Sequence, residues 1–313
     1  MLGLVVAAYG KRYEVELKDD LTNNLSSNLT HNSRRISCVT RGKKTDLACG
    51  DFVNVKMTDK ATGVVESSLP RNSLLYRSNA IKSKILASNV TQIIIVLATQ
   101  PSFYEALLNR CLIAAEAAKI KPLILLNKCD LDDTGNAKNK LKLYQDLGYE
   151  VLHLSAKEDI SALKPYLNKH QSVLVGQSGM GKSTIINALL PKQNVRTQVM
   201  SEALDSGKHT TTATHFYYLG DLGLDLNSSL IDSPGLQEFG LNHLSQQDLE
   251  LAFIEFKPYL GHCRFNNCSH SHEPDCAIMQ AISKHKISAV RHAIYKVILT
   301  ELTHTQAQTN AQT

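Results

Sequence analysis

The sequence has no apolar run that approaches the roughly 18 residues needed to cross a membrane. Its start, MLGLVVAAYGKRYEVEL, becomes charged too early for a secretory signal. It also has no Cys-x-x-Cys pair, and an odd number of cysteines, seven, argues against a set of disulfide bonds. We therefore expect a cytoplasmic protein with reduced cysteines and no membrane partner.

Chain length and net charge set only loose bounds on the number of domains and on the class of binding partner. A chain of 313 residues predicts two or three domains with at least one sizeable core. The formal net charge is +5, and residues 1–80 hold 12 Lys and Arg against 8 Asp and Glu. This mild basic excess is compatible with nucleic-acid binding and equally with simple solubility.

The first 80 residues show the alternation of apolar and polar side chains that is typical of half-buried strands. YEVEL at 13–17 and DFVNVKM at 51–57 are the clearest examples. A segment with five basic side chains, residues 34–44, lies between them. The pattern predicts a small barrel of the OB type, with a small β-sandwich as the alternative.

From about residue 90 the pattern changes to strands that alternate with helices, which predicts a parallel sheet of βαβ units. A disordered polar tail is expected from residue 301. Strands are predicted at 91–98, 122–127, 150–154, 172–175, 214–219 and 228–232, and helices at 103–119, 136–147 and 159–169.

Residues 176–183, GQSGMGKS, fit the phosphate-binding pattern Gly-x4-Gly-Lys-Ser after a buried strand and before a helix. Backbone N–H groups would converge on phosphate oxygens, Lys182 would reach the β and γ phosphates, and Ser183 would hold Mg²⁺. The alternative is a glycine-rich turn without a ligand. The predicted nucleotide contacts here are Gly176, Gln177, Ser178, Gly179, Met180, Gly181, Lys182, Ser183 and Thr184.

Two downstream segments complete a phosphate-sensing set. Asp232 to Gly235 read Asp-x-x-Gly at the end of a strand, a loop that holds Mg²⁺ through water and senses the γ-phosphate. GKHTTT at 207–212 offers Thr211 or Thr212 as a further Mg²⁺ ligand. A polar entry to the next strand is the alternative interpretation of this threonine run.

Asn127, Lys128, Cys129 and Asp130 end another predicted strand and form Asn-Lys-x-Asp, the pattern of a guanine-binding loop. A carboxylate at Asp130 would accept from guanine N1–H and N2–H together, which adenine cannot supply. Asp130 therefore disfavours an ATP-driven kinase or transporter subunit.

A companion loop follows the next strand. Ser155, Ala156 and Lys157 match the loop whose backbone N–H faces guanine O6. The base-binding loops thus precede the phosphate loop, which indicates a circular permutation. Such a rearrangement is permissible because domain termini usually lie close together at the surface.

Three thiols and an imidazole crowd into residues 263–276, the ligand set of a closed tetrahedral zinc site. Nearby His262 and His272 are competing candidates. We expect one structural Zn²⁺ per monomer. The predicted ligands are Cys263, Cys268, His270 and Cys276.

The residue that activates the attacking water is left open by the motifs. Leu236 follows Asp-x-x-Gly where many small GTPases have a glutamine, and leucine cannot orient water. The catalytic candidates are Lys182 and His209, and the alternative for His209 is an exposed loop residue. Gln237 is a further candidate for orienting the water.

Together NKCD, SAK, GQSGMGKS, HTTT, DSPG and CRFNNCSHSHEPDC resemble the bacterial circularly permuted GTPases of small ribosomal subunit biogenesis, the RsgA/YjeQ family. The resemblance covers almost the whole chain. It implies a multidomain α/β protein with an N-terminal OB-type barrel at 1–80, a circularly permuted P-loop GTPase domain at 81–242 and a helical zinc-binding domain at 243–300, before the tail at 301–313.

The family also implies a function. Its members hydrolyse GTP to GDP slowly alone and faster with the small (30S) subunit, act in late maturation of that subunit, and contact 16S rRNA through the flanking domains. The family pattern has a His before the threonine run, which favours His209. We expect a monomer with Mg²⁺ bound beside GTP and no DNA partner. An RNA-binding module gated by nucleotide, whose hydrolysis is incidental, is the alternative.

Overall fold

The computed structural model describes residues 1–18, 34–41, 47–78, 83–131, 134–191, 214–233, 239 and 241–310. The strands are β1 Leu2–Tyr9, β2 Arg12–Leu17, β3 Arg35–Thr40, β4 Phe52–Met57, β5 Thr62–Ser68, β6 Leu74–Ser78, β7 Ser83–Ser88, β8 Gln92–Leu97, β9 Lys121–Leu126, β10 Glu150–His153, β11 Gln171–Val175, β12 Thr214–Tyr218 and β13 Ser229–Asp232. The α-helices are α1 Glu105–Ala117, α2 Thr134–Asp146, α3 Lys164–Leu167, α4 Lys182–Leu189, α5 Gln246–Ala252, α6 Ala277–Ser283 and α7 Ala289–Asn310. Short 3₁₀ segments cover Ser161–Leu163, Gly220–Leu222 and Ile254–Tyr259.

Strands β1 to β5 form a closed barrel. β1 pairs with both β2 and β4, and the circuit closes through β3 and β5. The alternating apolar residues fill its interior, as the buried side chains of Tyr13, Val15, Val53 and Val55 show. The predicted barrel is confirmed, and the β-sandwich alternative is wrong.

The second unit is an α/β sheet in the order β10-β9-β8-β11-β13-β12. Strands β8, β9, β10, β11 and β13 run parallel, and β12 is antiparallel to β13. The chain first builds outward from β8 to β10 and then returns to β11 on the other side of β8. Ligands of open α/β sheets bind in the crevice at such a switch point, beyond the carboxyl ends of the strands. The phosphate loop follows β11 and therefore lies at this crevice.

The two sheets are joined edge to edge, which the sequence did not predict. β1 of the barrel pairs antiparallel with β12, with Ala7 opposite His215 and Ala8 opposite Thr214. Beside this pairing, the Tyr218 hydroxyl donates to Glu16 Oε1 at 2.7 Å, and Glu16 is only 2% exposed. Within the described ranges, β12 is thus hydrogen-bonded to the barrel on one edge and to β13 on the other.

The C-terminal helices pack on α1 of the α/β unit. A capping box between Ser245 and Asp248 begins α5. The guanidinium of Arg291, which is 0% exposed, makes a bidentate pair with Glu255 and also donates to Asn109 Oδ1 on α1. This buried network ties the C-terminal helices to α1 of the α/β unit.

Three predicted boundaries differ from the structure. α7 continues to Asn310 where a disordered tail was expected from residue 301; the segment has no Gly or Pro to end a helix. The helix predicted at 159–169 is only a 3₁₀ segment followed by α3, which ends before an extended Asn168. The expected boundary at residue 80 falls between β6 and β7, which pair with each other.

Candidate functional site

The phosphate loop joins β11 to α4, and two of its glycines stand where no side chain fits. A Cβ on Gly176, which has φ +149°, would lie 2.4 Å from the carbonyl oxygen of Val96. A Cβ on Gly181, with φ +94°, would lie 2.3 Å from Asn127 Nδ2. Both positions require glycine because of the close approach and the positive φ. The loop is therefore packed tightly against the ends of β8 and β9.

Lys182 begins α4 and turns back over its own loop. Its Nζ donates to the carbonyls of Gly176 at 2.7 Å and Gln177 at 2.8 Å. Burial lowers the pKa of Lys182 to about 8, and the charge of Asp232 opposes this shift. Burial likewise raises the pKa of Asp232 to about 6 against the effect of Lys182. The crevice thus holds a buried cation from the phosphate loop and a half-buried acid from the end of β13.

Asn127 connects three of the predicted loops. Its side chain is 2% exposed, donates from Nδ2 to the Met180 carbonyl and accepts at Oδ1 from the Ala156 N–H, both at 3.0 Å. One amide therefore holds the phosphate loop, the guanine loop and the companion loop together. The motifs that are scattered in the permuted sequence meet at one place in the fold.

The remaining residues of the predicted guanine loop lie beside that amide. Lys128 has φ +60°, and the Cys129 N–H donates to the Leu154 carbonyl at 3.1 Å. Asp130 is exposed, and its pKa is held below the ordinary value chiefly by the neighbouring Ser155 side chain and, to a smaller extent, by the charge of Lys157. The arrangement leaves an ionised carboxylate at the mouth of the crevice.

Residues 99–104, after β8, form a further wall that the motif analysis missed. The Gln100 carbonyl accepts from Lys128 Nζ at 2.6 Å. Gln177 Oε1 accepts from the Tyr104 N–H at 3.2 Å. Residues 99–104 contribute only backbone groups to these two contacts, and any residue type could supply those groups, so no sequence signal in this segment could have revealed them.

The phosphate-sensing segments are described only in part. Ser233, fully buried beyond Asp232, donates from its hydroxyl to the Leu174 carbonyl at 2.9 Å and anchors the end of β13 next to β11. Other predicted residues lie outside the described residues: His209, Thr210, Thr211, Thr212, Gly235, Leu236 and Gln237.

A second cluster lies among the C-terminal helices. The candidate ligand atoms of Cys263, Cys268, His270 and Cys276 all lie within 4.8 Å of one another. His270 Nδ1 is 3.5 Å from the Sγ atoms of both Cys263 and Cys276. Three thiols and one imidazole at these separations could hold a single metal ion. The competing candidates His262 and His272 are exposed and are not part of this cluster.

The predicted basic segment of the barrel is partly neutralised by carboxylates. Arg35 Nε lies 3.1 Å from Glu16 Oε2, and Arg41 lies 3.9 Å from Glu66. Lys43 and Lys44 lie outside the described residues. No helix in the described part of the chain is both long and apolar enough to cross a membrane.

Comparison with known proteins places this geometry among GTPases. A family model described as RsgA GTPase matches residues 68–242. Curated proteins named Small ribosomal subunit biogenesis GTPase RsgA are 46% identical to the chain. The protein from Nitrosospira multiformis aligns over 96% of this chain and 90% of its own length. Those from Paraburkholderia phymatum and Burkholderia pseudomallei align over 96% of this chain and 91% of theirs.

Solved structures of similar fold agree with this family match. The crystal structure of YjeQ from Thermotoga maritima is 27% identical, with a TM-score of 0.69 over 96% of this chain and 98% of its own. The structure of YloQ, described as a circularly permuted GTPase, has a TM-score of 0.65 at 24% identity over 97% and 95% of the two chains, a likeness of fold alone. The predicted fold class, with its permuted GTPase unit, is confirmed.

Proposed function

Because the chain belongs to the RsgA GTPase family, as its motifs predicted, we propose that it hydrolyses GTP in contact with the small ribosomal subunit during the late maturation of that particle. The observation that carries the proposal is the double hydrogen bond of Asn127, which draws guanine-type and phosphate-type loops into one crevice. A GTP-binding site needs both kinds of loop within the length of one nucleotide.

In the proposed complex, each loop has its own part of the nucleotide. Asp130 would accept from guanine N1–H and N2–H, the stem of Lys128 would cover the base, and the backbone after Ser155 would face O6. The exposed, ionised state of Asp130 supports this role. The loop from Gly176 to Thr184 would receive the phosphates.

The metal and the cleavage step involve fewer residues. We assign Mg²⁺ to Ser183 and to one of Thr211 and Thr212, with Asp232 acting through water. Lys182 would leave its two loop carbonyls to neutralise charge that develops on the transferred phosphoryl group. His209 would orient the attacking water, since Leu236 cannot.

We assign zinc to the Cys3His cluster. In a tetrahedral site with Zn–S of about 2.3 Å and Zn–N of about 2.05 Å, ligand atoms are separated by about 3.8 Å for S···S and about 3.6 Å for N···S. The chain has 3.8 Å between Cys263 Sγ and Cys276 Sγ, and 3.5 Å from each of them to His270 Nδ1. These three separations support a metal site, and the fourth proposed ligand atom, Cys268 Sγ, lies within 4.8 Å of the others. The metal would stabilise the fold of the loop and would take no part in hydrolysis.

The proposed partners follow from the family. The curated relatives are named for the small ribosomal subunit, and we extend to this chain a monomer that binds it in the cytoplasm and touches 16S rRNA through the flanking domains. For the domain limits we propose residues 1–80, 81–242 and 243–300, with the β6–β7 pairing bridging the first limit and α7 extending past the last. The fully enclosed barrel and the separate metal cluster support three units.

The test is GTP turnover by the purified chain with and without isolated small subunits. We expect turnover to be much faster with small subunits, and large subunits serve as the control particle. The Lys182→Ala variant gives the background rate. Equal turnover in the presence and absence of small subunits would contradict the proposal.

A further inference from the structure

The two ring nitrogens of His270 face different groups. Nδ1 points between the sulfurs of Cys263 and Cys276, at 3.5 Å from each. Nε2 points away from them and lies 3.7 Å from Glu250 Oε1. When Nδ1 binds a metal, the ring hydrogen must be on Nε2, because a neutral imidazole has one donor and one acceptor. His270 is 4% exposed, so this N–H needs a partner inside the protein.

Glu250 is held in place to be that partner. Its side chain is 16% exposed, and Gln246 Nε2 donates to Glu250 Oε1 at 2.8 Å from one turn earlier on α5. The capping box at Ser245 and Asp248 fixes the start of the same helix. The carboxylate is therefore oriented before any metal binds, and it needs to approach Nε2 by less than about 1 Å to reach ordinary hydrogen-bond length.

The backbone of the metal loop is held independently from another helix. His292 Nε2 lies 2.7 Å from the His270 carbonyl, and the Tyr295 hydroxyl donates to the Ser269 carbonyl at 3.0 Å. These α7 contacts hold the loop backbone, and the buried imidazole ring itself packs near the rings of Phe256 and Tyr295. Glu250 on α5 is the carboxylate that lies near Nε2 of this ring.

We propose that Glu250 is a positioning residue for the metal site: it accepts a hydrogen bond from Nε2–H of His270 and thereby fixes the tautomer and orientation in which Nδ1 binds zinc. Carboxylate partners of metal-bound histidines act in this way, and their loss typically costs about 10- to 100-fold in metal affinity. The role of Glu250 rests on the proposed zinc assignment. It also makes α5, which follows the Asp-x-x-Gly segment, part of the support of the metal site.

The test compares zinc affinity, measured by competition with a chromophoric chelator, in the full-length chain and its variants. Glu250→Ala should bind zinc about 10- to 100-fold more weakly. Glu250→Gln keeps a carbonyl oxygen that can accept from Nε2–H, so it should recover most of the affinity. Glu301→Ala, which removes a carboxylate paired with Arg110 elsewhere on the domain interface, should bind zinc like the wild type.

A purely structural role for Glu250 would not affect the ring proton. In the zinc-loaded protein, the Nε2–H resonance of His270 should be observable and shifted downfield by NMR, lost by exchange in Glu250→Ala, and restored in Glu250→Gln. Wild-type affinity and an unchanged resonance in Glu250→Ala would overturn the role of Glu250 alone. A wild-type chain that binds no zinc would overturn the zinc assignment and this role with it.

Discussion

Replacing Asn127 by alanine would remove the amide that holds the three nucleotide loops together. The side chain is 2% exposed, and its two hydrogen bonds reach the Met180 carbonyl and the Ala156 N–H at 3.0 Å. Both partner residues are buried, so neither group regains a full hydration shell. A buried polar group left without its partner costs about 1–3 kcal/mol, which predicts a loss of about 2–6 kcal/mol in the free energy of unfolding.

The same change should weaken nucleotide binding. Without the amide, bound GDP must itself hold the phosphate loop against the guanine loop, so part of the lost free energy is subtracted from binding. If about 1–3 kcal/mol is transferred in this way, Kd rises roughly 5- to 150-fold. The loss of affinity should be the same for GTP and GDP, because the Asn127 amide contacts loops that both nucleotides would use.

Urea unfolding and titration with a fluorescent GDP analogue would measure the two effects. Asn168→Ala is the matched control: Asn168 is exposed and its Oδ1 accepts a single hydrogen bond, from the Asp225 N–H at 2.9 Å. This control should change stability little and leave Kd unchanged. If Asn127→Ala matched the control in both measurements, the loops would be held together by something other than this amide.

The other predictions concern single functions of the chain. Asp130→Asn should weaken guanine nucleotide binding by about 3–6 kcal/mol, the value of two hydrogen bonds to a charged group. In competition assays the variant should prefer xanthine nucleotides. A retained preference for GTP would argue against the assignment of Asp130 to the guanine base. Arg291→Ala leaves the carboxylate of Glu255 buried without its partner, so the free energy of unfolding, measured by urea titration, should fall by about 3–5 kcal/mol. Lys121→Ala breaks the exposed pair with Glu150 and should lower the same free energy by under about 1 kcal/mol. His209→Ala should lower subunit-stimulated turnover by about 100-fold or more with GTP affinity unchanged, and the variant should stay bound to the small subunit. If turnover fell in Gln237→Ala and not in His209→Ala, the role would pass to Gln237. Normal release of the His209→Ala variant from the small subunit would favour a binding module whose hydrolysis is incidental.

The sequence predicted those parts of the fold that depend on local pattern. The apolar runs at 91–98 and 122–127 predicted β8 and β9, because strands buried on both faces leave no room for polar side chains. Alternation in DFVNVKM predicted β4 of the barrel. The Cys and His spacing also predicted that the three thiols and the imidazole lie together, since the four residues belong to one short segment.

Long-range pairings and backbone contacts could not be predicted in this way. The pairing of β1 with β12 joins residues about 200 positions apart through main-chain groups, which are the same in every residue type. The contact of Gln100 with Lys128 also uses a carbonyl. The helix expected at 159–169 was too long because the backbone becomes extended at Asn168, and Lys169, with φ +62°, does not return to helical geometry.

The permuted order of the chain gives each phosphate-sensing segment a direct route to a flanking domain. The threonine segment leads into β12, which is paired with β1 of the barrel and linked to it by the hydrogen bond from Tyr218 to Glu16. The Asp-x-x-Gly segment leads instead toward α5, where Glu250 faces His270 of the Cys3His cluster. If the threonine and Asp-x-x-Gly segments move when the γ-phosphate is lost, the first would displace β12 beside the barrel and the second would displace α5 beside the Cys3His cluster. In that case nucleotide state and the contacts of both domains would be linked through these elements, and a change in either domain would act back on nucleotide affinity to the same extent.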